Sequence, residues 1–318
     1  MGTFLNGELM NRFAWVFALL IFFSSMGFAK LEDHFKKASG KSSYHTMKNI
    51  DFIYTINLDQ RPEKFLKCTE QLHPYQIYPY RFSAVNGWEL SLETINDVGV
   101  KFSPGMTGDF WGTSYLDESL GPNHDLLRNY GQVYFCHCMG RGPIGIVLSH
   151  LSILQDALDS GYKTIWVMED DIEIVQNPKI LSNLIQHLDA AVGEDKWDML
   201  FTDRDTKNQQ GEYVPCKGYA RSPNFEPKDP QRFVMDQKVG SLFRRIGARY
   251  GAYSVIVRRS GMEKILRYAK THNIFLPYDM FFYLPDDMRI YTVQKDVVST
   301  EPRAISDNGG PNYLNKQQ

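Results

Sequence analysis

The stretch "TIWVMEDDIEIV" (164–175) runs an apolar pattern, Ile165, Trp166, Val167 and Met168, straight into three consecutive acids, Glu169, Asp170 and Asp171. Like charges side by side repel unless a cation offsets them. If the chain stays extended past Met168, side chains alternate, so Glu169 and Asp171 face one spot and Asp170 the other side. Two carboxylates aimed at one point suit a hard divalent cation, with water and substrate phosphates completing its shell. The plainer alternative is a solvated acidic turn in which Asp170 or Asp171 caps the succeeding residues. Later, "LPYDMFFYLPDDMRIY" (276–291) supplies Asp279, Asp286 and Asp287 as candidates for a general base, though each would serve equally as a loop acid or a cap.

Strands and helices must position these groups. "DFIYTINL" (51–58) is rich in β-branched and aromatic residues, and "RPEKFLKCTEQL" (61–72) spaces Phe65, Leu66 and Leu72 as a helix does, with Pro62 in its first turn. "GPIGIVLSHLSILQDALDSG" (142–161) carries Ile146, Leu148, Leu151, Leu154 and Leu158 in a helical stripe closed by Gly161, and the acid-bearing strand follows at once. "WDMLFTD" (197–203) reads as a further strand ending in acid, and "GAYSVIVRRSGMEKILRYAK" (251–270) as a strand, a turn at Ser260-Gly261 and an amphipathic helix. This order predicts an α/β fold, a mostly parallel central sheet with helices on both faces. In such sheets ligands bind at the carboxyl ends of strands, where the acids fall. Residues 103–142 and 205–247, rich in Gly, Pro and polar residues, read as elaborated loops.

Composition sets the bounds. With 318 residues, 43% hydrophobic and 23% charged, the chain has an ordinary globular make-up, and its net charge of −2 with no long basic run gives no reason to expect nucleic acid. The N-terminus departs from this average. "FAWVFALLIFFSSMGF" (13–28) follows Arg12 and ends in Gly27-Phe28-Ala29, so residues 1–29 read as a signal peptide or an uncleaved membrane anchor. The lysines at 30, 36, 37 and 41 would keep a retained anchor's main domain cytoplasmic, whereas cleavage implies export. Residues 30–48 then form a linker, 49–305 the main domain and 306–318 a tail. The four cysteines lack the paired spacing of a structural zinc site and suit free thiols or one long-range disulfide.

The motifs "INLDQRPEKF", "RFSAVNG", "GPIGIVLSH", "VMEDDIEI", "WDMLF" and "GAYSVIVRRSGMEKIL" occur here in the order and spacing of the family 25 glycosyltransferases, and the resemblance covers about 51–301. That family includes bacterial lipooligosaccharide galactosyltransferases and animal procollagen galactosyltransferases. The resemblance implies a GT-A-like nucleotide-sugar-binding fold, a UDP-sugar donor, a divalent metal (Mn²⁺ or Mg²⁺) and transfer with inversion. It places Asn57, Leu58, Asp59 and Arg61 near the nucleotide, with Ser149 and His150 close to the donor and Asp170 and Asn86 in the same set. Glu169 and Asp171 become the metal ligands, and Asp279 matches the family's Pro-x-Asp. Two departures stand out: Asn86 where the family commonly has aspartate, which removes a charge, and Ile146 where it has cysteine, which suggests packing.

The expected function is therefore a metal-dependent inverting glycosyltransferase moving a hexose, with galactose foremost, to a saccharide or glycosylated acceptor. The alternative is an inactive sugar-nucleotide-binding or adhesion module of the same fold; a metal phosphohydrolase lacks its second His/Asp cluster. Arg249 and Arg303 are the cations expected at the diphosphate. Trp88, Trp111 and Tyr115 are the rings available to stack on an acceptor sugar.

Overall fold

The structure is a computed structural model that describes residues 29–316 except 109, 119, 120, 209, 302, 303 and 305. The apolar stretch 13–28 and Arg303 lie outside the described residues. Among those described, no helix is long and apolar enough to cross a membrane.

Eight strands make the main sheet: β1 (Phe52–Asn57), β2 (Tyr80–Ser83), β3 (Thr164–Glu169), β4 (Met199–Phe201), β5 (Asp236–Val239), β6 (Phe243–Ile246), β7 (Ser254–Arg258) and β8 (Ile290–Val293). The principal helices are α1 (Pro62–Leu72), α2 (Arg141–Asp159), α3 (Leu181–Val192), α4 (Arg259–His272) and the single turn α5 (Tyr278–Phe281). The strand order is β5-β6-β8-β4-β7-β3-β1-β2. The parallel arrangement expected from the sequence holds for β3, β1 and β2. Beyond β3 the sheet is mixed, because β7 lies antiparallel between β3 and β4 and β6 runs antiparallel to β8.

Both faces of the sheet's middle are covered, so β1, β3, β4, β7 and β8 are buried almost throughout, while the edge strand β5 is exposed. Ile165 and Val167 of β3 join one core with Phe52, Tyr54 and the inner faces of α2 and α4. Trp166 and Met168 point the other way, into a second core with Ile53, Leu72 and Leu181, Ile185 and Leu188 of α3. Trp166 is fully buried, and its indole N–H donates to Ser254 Oγ at 3.0 Å, so the polar tip is satisfied. Ser260 and Gly261 form no separate turn: α4 begins at Arg259, and Gly261 sits where a Cβ would be 2.7 Å from Asp198 O.

Several stretches read as connecting segments are built into the body. The span 205–247 contains β5 and β6, which extend the sheet. Residues of 30–48 pack beside β2 and α2: Lys36 Nζ donates to Ser83 Oγ at 2.6 Å, and Lys41 Nζ binds the Asp156 carboxylate at 2.8 and 2.9 Å. Residues 306–316, assigned to a tail, fold back over the end of the sheet where β1 and β3 terminate. All four cysteines are free, with Cys136 and Cys138 in contact.

Candidate active site

β1 and β3 are parallel neighbours in register, Ile56 opposite Glu169, so Asn57 and the three acids emerge together at the carboxyl edge. The strand stops at Glu169 and the chain turns through Asp170 and Asp171. That turn breaks the expected alternation, and all three carboxyls line one cavity. Asn57 fixes Asp170: its Nδ2 donates to Asp170 Oδ2 at 2.6 Å and to Arg61 O at 2.8 Å, while its Oδ1 accepts from Arg81 Nε at 2.7 Å.

The acids are not a solvated turn. Burial pushes each carboxyl up to about 7; repulsion from Asp279 adds to this for Glu169, and from Glu169 for Asp171, while Lys64 pulls all three back. Lys64 lines the same cavity from the first turn of α1, and its Nζ also lies 3.4 Å from Asp307 Oδ2. Asp171 Oδ1 is buried with no hydrogen-bond partner among the described residues.

α2 supplies the floor. Ser149 Oγ accepts from Val85 N–H at 2.8 Å and donates to Gly145 O at 2.7 Å, which stitches the helix to the loop after β2. The contact is main chain to main chain, since a Cβ at Gly145 would lie 2.5 Å from both Gly87 N and Val85 O. His150 is buried, stacks on Tyr278 at 3.9 Å and 11°, and reaches Glu169 Oε1 with Nε2 at 3.4 Å. Burial holds its imidazole down at about 3 against the pull of Asp279, so it is neutral at pH 7. Asn86 caps the turn Gly87–Glu89 by accepting from Trp88 N–H and donates to Tyr313 Oη at 2.9 Å.

A second cavity adjoins the first and shares Ile146, Glu169 and Asn308 with it. Asp279 lines this one, half-buried at the start of α5, with Gly251 N–H donating to its Oδ2 at 3.1 Å. Burial raises its carboxyl above the ordinary range, and the Gly251 amide partly offsets that.

A family model described as Glycosyltransferase family 25 (LPS biosynthesis protein) matches residues 50–282. The chain belongs to glycosyltransferase family 25. A glycosyltransferase 25 family member of Drosophila melanogaster is 27% identical over 182 residues, 57% of this chain and 25% of that protein. Inactive glycosyltransferase 25 family member 3 of Homo sapiens is 25% identical over 164 residues, 51% of this chain and 23% of the relative. Procollagen galactosyltransferase 1 of Danio rerio is 24% identical over 156 residues, 49% and 22% of the two chains. The match thus spans about a quarter of these relatives' length.

Within this family 25 chain, Asn57, Leu58, Asn86, Ser149, His150, Glu169, Asp170 and Asp171 converge on the first cavity and Asp279 on the second. Other candidates do not reach either cavity. Asp59 is exposed on the outer side of the loop, where it accepts from Ser83 and Arg81. Arg61 is buried and locked to Asp307, with Nε to Oδ2 at 2.7 Å and Nη2 to Oδ1 at 2.9 Å. Asp287 is largely exposed and pairs with Lys264, which also binds Asp198 before β4, at the amino end of the strands. Asp286 accepts from Lys228 N–H instead. Arg249 is buried and paired with Asp203 at 2.9 Å under Phe201, so it cannot meet a diphosphate. Tyr115 is core, and Trp111 is half-exposed on a hairpin; Trp88 alone of the three rings lines the first cavity.

The residues fit a divalent cation. Among those described, no group of three or more His, Cys, Asp or Glu side chains is arranged to hold an ion. Two carboxylates with diphosphate oxygens and water would make up a hard-cation shell, and Asp171 Oδ1, without a hydrogen-bond partner among the described residues, is free to join it. The reading from sequence missed Lys64, Asp307 and Asn308. Lys64 had a faint signal, as the first turn of a helix after a strand faces the sheet's ligand edge. The other two had none, because their places depend on a bond 246 positions back to Arg61.

Proposed function

We propose that this chain is a metal-dependent inverting glycosyltransferase that moves a hexose, galactose first, from a UDP-sugar to a saccharide or glycosylated acceptor. The observation carrying this reading is the pair of cavities joined at Glu169, one holding three carboxyls and Lys64, the other Asp279. Glu169 and Asp171 would hold Mn²⁺ or Mg²⁺, which when bound offsets the charge of the departing diphosphate. Lys64 supplies a further positive charge at the same oxygens, and neutral His150 donates a hydrogen bond without altering that charge. Asp279 takes the proton of the acceptor hydroxyl as its oxygen bonds to the sugar carbon and the bond to the diphosphate breaks. Its raised pKa suits it to that task.

The second reading, an inactive binding module, draws on the equal similarity to a relative named inactive. Intact Glu169, Asp171 and Asp279 favour turnover. For attachment we propose the apolar stretch 13–28 as the membrane-directed element, and the N-terminal residue of the mature protein decides between cleavage and retention.

The test is calorimetric titration of UDP with and without Mn²⁺, beside a transfer assay, on the parent and Asp171→Asn. The amide keeps an oxygen but loses the charge that offsets the cation. Donor affinity in Mn²⁺ should fall more than about 10-fold, the scale on which even indirect metal partners act. Full metal-dependent activity in Asp171→Asn sinks the metal assignment.

A further inference from the structure

Asn308 is one of three residues shared by the two cavities, and the other two, Glu169 and Ile146, are an acid assigned above to the metal and a packing side chain. It is exposed, its amide has no hydrogen-bond partner among the described residues, and its backbone N–H donates to Ser306 Oγ at 3.2 Å. Its backbone position is unusually constrained. A Cβ on Gly142 would lie 2.6 Å from Asn308 O and 2.9 Å from its Cα, so the segment rests directly on the first turn of α2. The preceding residue is held on two sides, by Arg61 at the Asp307 carboxylate and by the Trp88 indole N–H donating to Asp307 O at 2.9 Å. Five residues on, Tyr313 is tied to Asn86. A fixed backbone thus carries an amide with two donors and one acceptor over the place where a donor's sugar and an acceptor's hydroxyl would meet.

We propose that Asn308 hydrogen-bonds the hydroxyl groups of the hexose being transferred and so sets which epimer the site accepts. This rests on the glycosyltransferase reading above. A neighbouring pair of sugar hydroxyls, each both donor and acceptor, matches a carboxamide, which can donate to one hydroxyl and accept from the other. On the reading above the nucleotide and diphosphate would lie toward Lys64 and the acids, and the place of Asn308 in the second cavity as well puts its amide on the side of the sugar.

The experiment compares the parent, Asn308→Ala and Asn308→Gln in two measurements: kcat/KM for UDP-galactose and UDP-glucose, which differ at one carbon, and the affinity of UDP alone in Mn²⁺ by calorimetry. Expected for Asn308→Ala is a loss of about 10-fold in kcat/KM for the preferred epimer, as for one or two neutral hydrogen bonds, and a ratio between epimers moved toward one. UDP affinity stays within about 2-fold, and Asn308→Gln restores part of the ratio. An unchanged epimer ratio in Asn308→Ala overturns the proposal. So does a parallel fall in UDP affinity and both epimers with the ratio kept, which marks a purely structural segment. Absence of metal-dependent UDP binding by the parent protein refutes the glycosyltransferase reading and the proposal with it.

Discussion

Arg61 separates a structural cation from a ligand-binding one, and the expected effect of Arg61→Met can be worked from its surroundings. Its side chain is 4% exposed and that of Asp307 is 7%, and they meet through two hydrogen bonds. Removing one partner of such a pair leaves an uncompensated buried charge, at a typical cost of about 3–5 kcal/mol. Lys64 remains 3.4 Å from Asp307 Oδ2 and offsets part of that charge, so the low end applies, about 3 kcal/mol. At about 1.5–2 °C per kcal/mol for a folded chain of this size, the melting temperature should fall by about 5–6 °C. The double variant Arg61→Met with Asp307→Leu should recover most of the loss, because an apolar pair of similar volume often replaces a buried ion pair at little cost. Urea unfolding and thermal melts in parallel measure this, with UDP calorimetry on the same samples. A single variant that melts with the parent yet binds UDP more weakly refutes the reasoning and returns Arg61 to the diphosphate.

Asp279→Asn should keep metal-dependent UDP binding while transfer falls by about 10²–10⁴-fold, the usual scale for a general base, as read from initial rates at saturating donor. Transfer at the parent rate would leave the base unassigned. At the far end of the sheet, burial alone would raise the Asp198 carboxyl, but Arg289, Lys264 and Ser260 outweigh it and hold it below the ordinary range. Its stabilisation is therefore complete above the unfolded carboxylate value of about 4 and is lost as pH falls through the lower folded value. Asp198→Asn should be less stable than the parent at pH 7, and the gap should narrow as pH falls below the unfolded carboxylate value of about 4; urea midpoints showing a constant gap from neutral to acid would contradict the assigned shift.

Much of the carboxyl edge was legible because its residues are local to strand ends. Asn57 and Glu169 close apolar runs, and the helix-to-strand order around 142–171 puts Ser149, His150 and the acids within one unit. The alternation of Glu169, Asp170 and Asp171 was misread, since the chain turns as soon as pairing with β1 and β7 ends. Arg61 and Arg249 were mistaken for ligand-binding cations for a single physical reason. A cation near a strand end reads alike whether it faces a phosphate or a carboxylate from a distant part of the chain, and Asp307 and Asp203 are such carboxylates. Asp286 and Asp287 share a motif with Asp279, yet only Asp279 enters the helical turn that looks toward Gly251.

The first turn of α2 meets its neighbours backbone to backbone on two sides, at Gly145 against residues 85 and 87 and at Gly142 against Asn308. Peptide groups have no rotamers to exchange, so this part of the cavity behaves as a rigid gauge whose width is set by van der Waals radii, not by side-chain choice. Trimming nearby side chains would not widen it, and a methyl group added at either glycine would jam it. Adaptation to a differently shaped ligand is left to side chains at the gap that are not already bonded, Asn308 first, since Asn86 and Trp88 are held by Tyr313 and Asp307. Fidelity to the common part of a ligand and latitude toward its variable part are thereby assigned to different classes of atom, main chain for the one and side chain for the other.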